Sequence, residues 1–344
     1  MKQSLVAVLV GQLVLCTTSI AATIKVSNQD IELGGGITGS FVSSSNTDNI
    51  SGYDMLVSDA LLEISSGKVK KESIGFKAAI GSYSVGTLYD GAIGTNNYTG
   101  GANEMLFPFN YGWVSASPMK NLLVDIGVIA TSIGYESGVS YSNGHILRGM
   151  LWNAQPGYYR GVRASYSLGD ISLFTEFNKD SSQKSSKSIA FGVTGEVQKI
   201  SFSGTYSYGD GGNDIIDIVA STNVNNIEIG SNIDLYILEK PAAGESSSAV
   251  GVAVYVSPTF DKYEIPLRLE FTNNGDGPAY SYDTNSIGGS AYSFTITPTM
   301  HMSKNSFIRT EVGIISTDEK IFTDSDGVKQ NLKMSLAIQA GYKF

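Results

Sequence analysis

One cysteine, Cys16, and two histidines, His145 and His301, stand in a chain of 344 residues. Zinc sites and cysteine nucleophiles are assembled from those residue types, so both chemistries have little to build on. Charge is scarce as well, at 16% of residues, while 42% are hydrophobic. A disordered chain needs the reverse balance and is excluded. The net charge is −9, from 23 basic and 32 acidic residues with no strong basic patch. Nucleic acid is therefore excluded as a partner, because neutralising phosphates takes clustered Lys and Arg. Beyond the first residues no run of ~18 apolar residues occurs, which excludes helical membrane spans.

What is abundant is glycine (39), tyrosine (19) and phenylalanine (14), in long stretches of alternating sequence. That profile points to a β-barrel. The N-terminus reads as an address. Lys2 is followed by an apolar run from Leu5 to Cys16 and then by small residues ending Ser19-Ile20-Ala21-Ala22. Charged start, apolar middle and small-residue exit describe a secretory signal peptide over 1–21, cleaved after Ala21; an uncleaved anchor would need a longer apolar run. Leu15 before Cys16 does not suit lipidation. Losing Lys2 takes the 23 basic residues to 22 against 32 acidic, a net −10, and leaves residues 22–344 without cysteine and so without disulfides.

The last segment shows the alternation most plainly. Leu332, Met334, Leu336, Ile338, Ala340, Tyr342 and Phe344 fall on one face, and Asn331, Lys333, Ser335, Ala337, Gln339, Gly341 and Lys343 on the other. Side chains alternate across a strand, so one face suits lipid and the other water. Segments around 187–198, 199–209 and 247–258 repeat the pattern. A soluble sandwich would alternate too. Export, abundant interfacial aromatics and a chain that ends on an aromatic favour the membrane.

Strands are expected near 30–43, 53–66, 72–84, 109–118, 121–132, 157–168, 170–179, 187–198 and 199–209. Seven more follow near 213–222, 226–238, 247–258, 262–273, 289–302, 305–317 and 331–344. This makes an all-β, transmembrane antiparallel barrel of 16 strands, with 14 or 18 as alternatives. Short turns at 67–71, 168–170, 198–199 and 303–305, three of the four carrying Lys, alternate with longer acidic loops around 85–108, 133–156, 209–213, 274–288 and 318–330. Short periplasmic turns and long external loops are the outer-membrane pattern.

Several stretches resemble the OmpL-like β-barrel porins. They are Gly134-Tyr135-Glu136 after the fifth strand, the segment Pro156 to Tyr166 opening the sixth, and Leu267 to Gly277 as an acidic strand-to-loop segment. Ile308-Arg309-Thr310-Glu311 looks like that family's Arg-x-Glu strand, and Phe344 like its terminal aromatic. The resemblance implies a Gram-negative outer-membrane diffusion channel without cofactor, inserted by the barrel-assembly machinery through Phe344. Family members often carry a basic residue two positions after that Glu, where this chain has Gly313.

In a 16-stranded barrel the lumen is wide enough for water, so a constriction must set the cutoff. Arg163, Arg268, Glu270, Arg309 and Glu311 fall on polar faces, as do Asp59, Glu63, Lys77, Asp125, Glu176 and Asp234. Charge facing lipid at the midplane costs ~2–4 kcal/mol for Lys or Arg, so the lumen is the expected location. There these charges either set a transverse field in the pore or brace the wall as ion pairs. The third external loop, 133–156, is the constriction candidate. Ser142 to Trp152 could include a helical turn after an Asn or Ser cap, and its Ile146, Leu147, Met150, Leu151 and Trp152 suit an inward fold better than a free loop. Inward folding would bring Glu136, His145 and Arg148 to the lumen; an external cap or a trimer contact is the alternative.

Other chemistry is thinly supported. His301-Met302-Ser303 has the spacing of a base and nucleophile, but it sits at a short periplasmic turn and lacks the Asn-Gly flank of outer-membrane phospholipases. Asp210 to Asp214 and Thr323 to Gly327 hold oxygen ligands yet lack the full calcium loop and read as tight turns, so no metal is expected. Gly34-Gly35-Gly36 lies inside a strand and reads as close packing or bending. Tyr342 and Phe344, with Tyr206 and Tyr208, fit two interfacial girdles.

The expectation is a porin passing small hydrophilic solutes and ions, with no catalytic residue and outer-membrane lipids and lipopolysaccharide as surroundings. Acidic loops would share divalent cations with those lipids, and a homotrimer is common among general porins. A structural or adhesive barrel with a closed lumen is the alternative, and an outer-membrane hydrolase resting on His301 and Ser303 a remote one.

Overall fold

The computed structural model describes residues 22–26, 29–46, 53–83, 86–89, 109–180, 187–209, 213–238, 248–274, 280 and 289–344. The expected leader over 1–21, most of the loop at 85–108, residues 210–212 and much of 274–288 lie outside the described residues.

Sixteen strands form the wall: β1 (Gln29–Ser44), β2 (Tyr53–Ser65), β3 (Ser73–Tyr83), β4 (Phe109–Met119), β5 (Leu122–Ala130), β6 (Tyr158–Leu168), β7 (Ile171–Asp180) and β8 (Lys187–Val197). They continue as β9 (Ile200–Gly209), β10 (Asn213–Val224), β11 (Ile227–Leu238) and β12 (Ser248–Phe260). The circuit ends with β13 (Tyr263–Glu264 continued by Leu267–Asn273), β14 (Ser290–Ile296 continued by Thr299–His301), β15 (Ser306–Thr317) and β16 (Leu332–Lys343). Each pairs antiparallel with the next, and β1 closes on β16 from Gly36↔Lys343 to Ser44↔Ser335. Closure leaves no free edge within the wall, which lipid could not hydrogen-bond. Ahead of the wall, Ala22–Val26 folds back on Gln29 to Leu33 as an exposed hairpin.

Pro266 and Pro298 explain the breaks in β13 and β14. Proline has no N–H to donate, so the ladder pauses there, yet both carbonyls still accept, from Thr297 N (2.9 Å) and Thr310 N (3.1 Å). The expected turns are tight. At Gln198-Lys199 both residues adopt left-handed φ (51° and 68°), the conformation whose twist matches a two-residue hairpin.

The wall is apolar outward and polar inward. In β16, Leu332, Met334, Leu336 and Ile338 are exposed while Lys333, Ser335, Ala337 and Gln339 between them are buried. A soluble sandwich would bury the aliphatic set. Ile338→Lys should therefore destabilise the barrel in bilayers by roughly 2–4 kcal/mol, read as a lower urea midpoint for unfolding from vesicles. A variant as stable as wild type would contradict the lipid-facing assignment.

The barrel interior holds an apolar cluster built from three loops. Leu88 and Tyr89 of the second external loop, Ile146, Leu147 and Met150 of the third, and Phe322 of the last pack against the wall residues Val42, Ala291, Ile315 and Ala337. The third loop is irregular apart from two short 3-10 turns, Ser140–Ser142 and Leu151–Ala154. The expected cap at Ser142 or Asn143 does not start a helix. Asn143 instead ties its side chain to Ser137, accepting from its N (2.7 Å) and donating to its O (2.9 Å), which closes a loop turn.

Candidate functional site

An irregular segment inside a barrel exposes backbone N–H and C=O groups that need partners. Here the charged side chains of the wall supply them. Glu311 on β15 accepts from Ile146 N (2.5 Å) and Leu147 N (3.0 Å). Glu270 on β13 accepts from Leu151 N at 3.3 Å, and Asp59 on β2 from Ser140 N at 3.2 Å. Glu136, within the loop, accepts from Gly149 N at 2.7 Å. The guanidiniums serve the carbonyls. Arg268 donates to Leu147 O (3.1 Å), and Arg309 to Asn143 O (2.7 Å) and Ser140 O (2.9 Å).

The same groups pair with one another. Arg268, fully buried, bonds Glu136 and lies 3.2 Å from Glu270 Oε2, while Ser293 donates to Glu270 at 2.7 Å. Gln339 on β16 accepts from Arg309 Nε (2.9 Å) and donates to Ser40 and Ser140 (2.8 Å each). Two carboxamides join the far side: Gln155 of the loop donates to Asn232 (2.8 Å) and Asp234 (2.7 Å) on β11.

Of the eight residues singled out in the sequence, six meet where the loop is held to the wall: Glu136, His145, Arg268, Glu270, Arg309 and Glu311. Arg148 folds back into its own loop, donating to Gly138 O and Ser137 O between the rings of Tyr83 (5.3 Å) and Trp152 (4.6 Å). Arg163 stands apart on β6, bonded to Glu176 on β7 and to Ala130 O at the loop root. Glu63 and Lys77 pair at 2.9 Å, and Asp125 takes the Ser115 hydroxyl at 2.5 Å.

His145 is 3% exposed, with Nδ1 2.8 Å from Thr297 Oγ1. Burial, then the charges of Arg268 and Arg309, hold its pKa well below the ordinary value. Above pH about 6.5 it is neutral in folded and unfolded chains alike, so pH has no leverage through it. As pH falls below that value, the unfolded chain takes up a proton that the seated loop resists, and the seat loses stability. Conductance noise should rise below pH about 6 and do so less in His145→Gln, as single-channel recordings across pH would show.

Four glycines of the wall act as sockets, Gly36 among them, where close packing was expected. A Cβ on Gly313 would stand 2.5 Å from Leu88 Cδ2, and one on Gly230 2.6 Å from the Tyr135 ring. Gly36 likewise admits Tyr141 (3.1 Å), and Gly251 admits Leu151 (3.0 Å). All four lie on inward positions of their strands, where a side chain would occupy the place a loop residue takes. Gly313 is the position at which the resemblance anticipated a basic residue; here the place of that side chain is taken by Leu88. Gly313→Arg should unseat Leu88 and raise protease cleavage near residues 86–89 several-fold, with strand content unchanged by circular dichroism.

His301 and Ser303 do not meet as base and nucleophile. His301 Nε2 lies 3.0 Å from Glu264 Oε2, while Ser303 Oγ accepts from Asn305 N and Ser306 N (3.1 Å each) and so closes its turn. Among the described residues no cluster of three His, Cys, Asp or Glu is placed to hold a metal. A cavity of about 160 Å³ lies between loop residues 135–145 and the periplasmic ends of β11 to β16.

A family model described as "Putative beta-barrel porin-2, OmpL-like" matches residues 34–344. No curated protein matches the chain. Among solved structures, the outer membrane channel DcaP of Acinetobacter baumannii superposes with a TM-score of 0.65 at 14% identity, covering 94% of this chain and 100% of that one. An anion-selective porin from Comamonas acidovorans gives 0.62 at 14%, covering 91% and 99%. The trimer form of the outer membrane protein OmpT of Vibrio cholerae gives 0.59 at 9%, covering 91% and 99%. At such identities these likenesses speak for the fold.

Proposed function

The chain belongs to the OmpL-like β-barrel porin family, and on that premise we propose that it is a passive outer-membrane channel for small hydrophilic solutes and ions, narrowed by its third external loop. The observation that supports this reading is the loop's seat. Residues 140–151 reach wall strands β2, β13 and β15 through backbone hydrogen bonds to charged side chains, which supports a segment that crosses the lumen over one that lies outside it. In this reading the charges hold the constriction in place first and colour its field second. A channel requires no catalytic group, and the engaged His301 and Ser303 fit that.

Planar-bilayer recording tests the proposal. Ohmic single-channel steps are expected, and the reversal potential in a salt gradient reads ion preference. Persistent silence from folded protein would favour the other reading, a structural or adhesive barrel with a closed lumen. The observation on its side is the apolar cluster of Leu88, Tyr89, Ile146, Leu147, Met150 and Phe322 inside the barrel.

The remaining assignments belong to the same proposal. Residues 1–21 direct export and are removed, and 22–344 form the barrel. Glu136, His145, Arg148, Arg163, Arg268, Glu270, Arg309 and Glu311 shape and support the pore. Phe344 presents the chain to the assembly machinery, the outer face meets lipid and lipopolysaccharide, and three copies associate, as in the trimer form of OmpT.

A further inference from the structure

The cavity beneath the third loop carries both signs of charge, sorted by side. Glu228 on β11 and Glu264 on β13 line one flank, and Arg309 on β15 and Lys343 on β16 the other. Glu136 also borders the space, but its carboxylate is engaged by Arg268 and Gly149 N. Two carboxylates thus face two cations around about 160 Å³, several times the ~10–15 Å³ that one water needs.

These groups keep bonding capacity in hand. Among the described residues, Glu228 takes only the Tyr135 hydroxyl, at 2.9 Å, and Glu264 meets only His301. Among the described residues, Lys343 Nζ makes no hydrogen bond or ion pair. Arg309 spends its N–H groups on the loop and Gln339, so it contributes field rather than donors. Tyr135 and Tyr255, stacked at 4.1 Å between centroids, give the carboxylate flank a rigid floor.

We propose that this vestibule is a binding site for small zwitterions such as amino acids and short peptides, the ammonium group toward Glu228 and Glu264 and the carboxylate toward Lys343. A singly charged solute gains on one flank and is repelled by the other. A solute with both charges gains on both, and its dipole is aligned as it enters. Resting on the channel reading, this names the solute class that such a channel would favour.

The test is calorimetric titration of the full-length, detergent-folded barrel with diglycine, so that binding is read without any current. Saturable binding is expected, weakened about tenfold or more by N-acetylation or by C-terminal amidation of the probe, each of which removes one charge. Glu264→Gln and Lys343→Met should weaken diglycine binding similarly, provided their heat-modifiable gel mobility is that of wild type. Equal binding of diglycine and its capped forms would overturn the proposal, and the probe series decides this without any variant. So would diglycine binding no better than sorbitol. A barrel that binds diglycine yet stays silent in bilayers would refute the channel reading while upholding the site.

Discussion

Deleting residues 140–152 should raise single-channel conductance about threefold or more while leaving strand content intact. The excised segment holds Ser140, Ile146, Leu147, Gly149 and Leu151, whose backbone groups bond Asp59, Glu311, Glu136 and Glu270. The wall does not need it for closure, because β1 and β16 pair directly. Selectivity should move too. With the loop gone, Asp59, Glu136, Glu270 and Glu311 lose backbone partners, and Arg268 and Arg309 lose carbonyl ones. Four carboxylates against two guanidiniums then face the open lumen, so the reversal potential should shift toward cations. Unchanged conductance would sink the constriction reading.

Arg268→Met should cost about 3–5 kcal/mol of stability, the effect of leaving buried charge without its partner. Arg268 and the carboxyls of Glu136 and Glu270 sit together out of solvent, and Arg268 is the cation between them. Methionine keeps much of the volume and removes the charge. The loss should appear as a lower denaturant midpoint in vesicles, together with noisier currents as Leu147 O loses its donor. Neutralising the carboxylates in Arg268→Met with Glu136→Gln and Glu270→Gln should recover much of it. If the single variant were as stable as wild type, the ion triad would be incidental to the loop's seat.

The wall was legible because its rule is local. A two-residue period tells Leu336 from Ala337 without knowledge of the partner strand, and turn chemistry at Gln198-Lys199 marks the reversal. Inward placement of Arg268, Glu270, Arg309 and Glu311 follows from the same parity. What parity does not carry is who meets whom across the lumen. Glu136 and Arg268 are 132 residues apart, and only the inward fold of the third loop makes them neighbours. Gln339 looked like any polar inward residue, yet it braces Arg309. The loop's helical signal failed because Asn143 found a nearer backbone partner in Ser137. The glycine sockets were the hardest to read, since their information is an absence whose meaning depends on a residue far away in the chain.

Those sockets also order events in time. Tyr141 sits against Gly36 on β1, Leu88 against Gly313 on β15, and Leu151 against Gly251 on β12. Strands from both ends of the chain must stand in final register before the receptacles coexist, and long-range contacts of that kind form late. The full set of seats is therefore complete only in a closed wall, so opening the β1–β16 seam should release Tyr141 and Leu88 together.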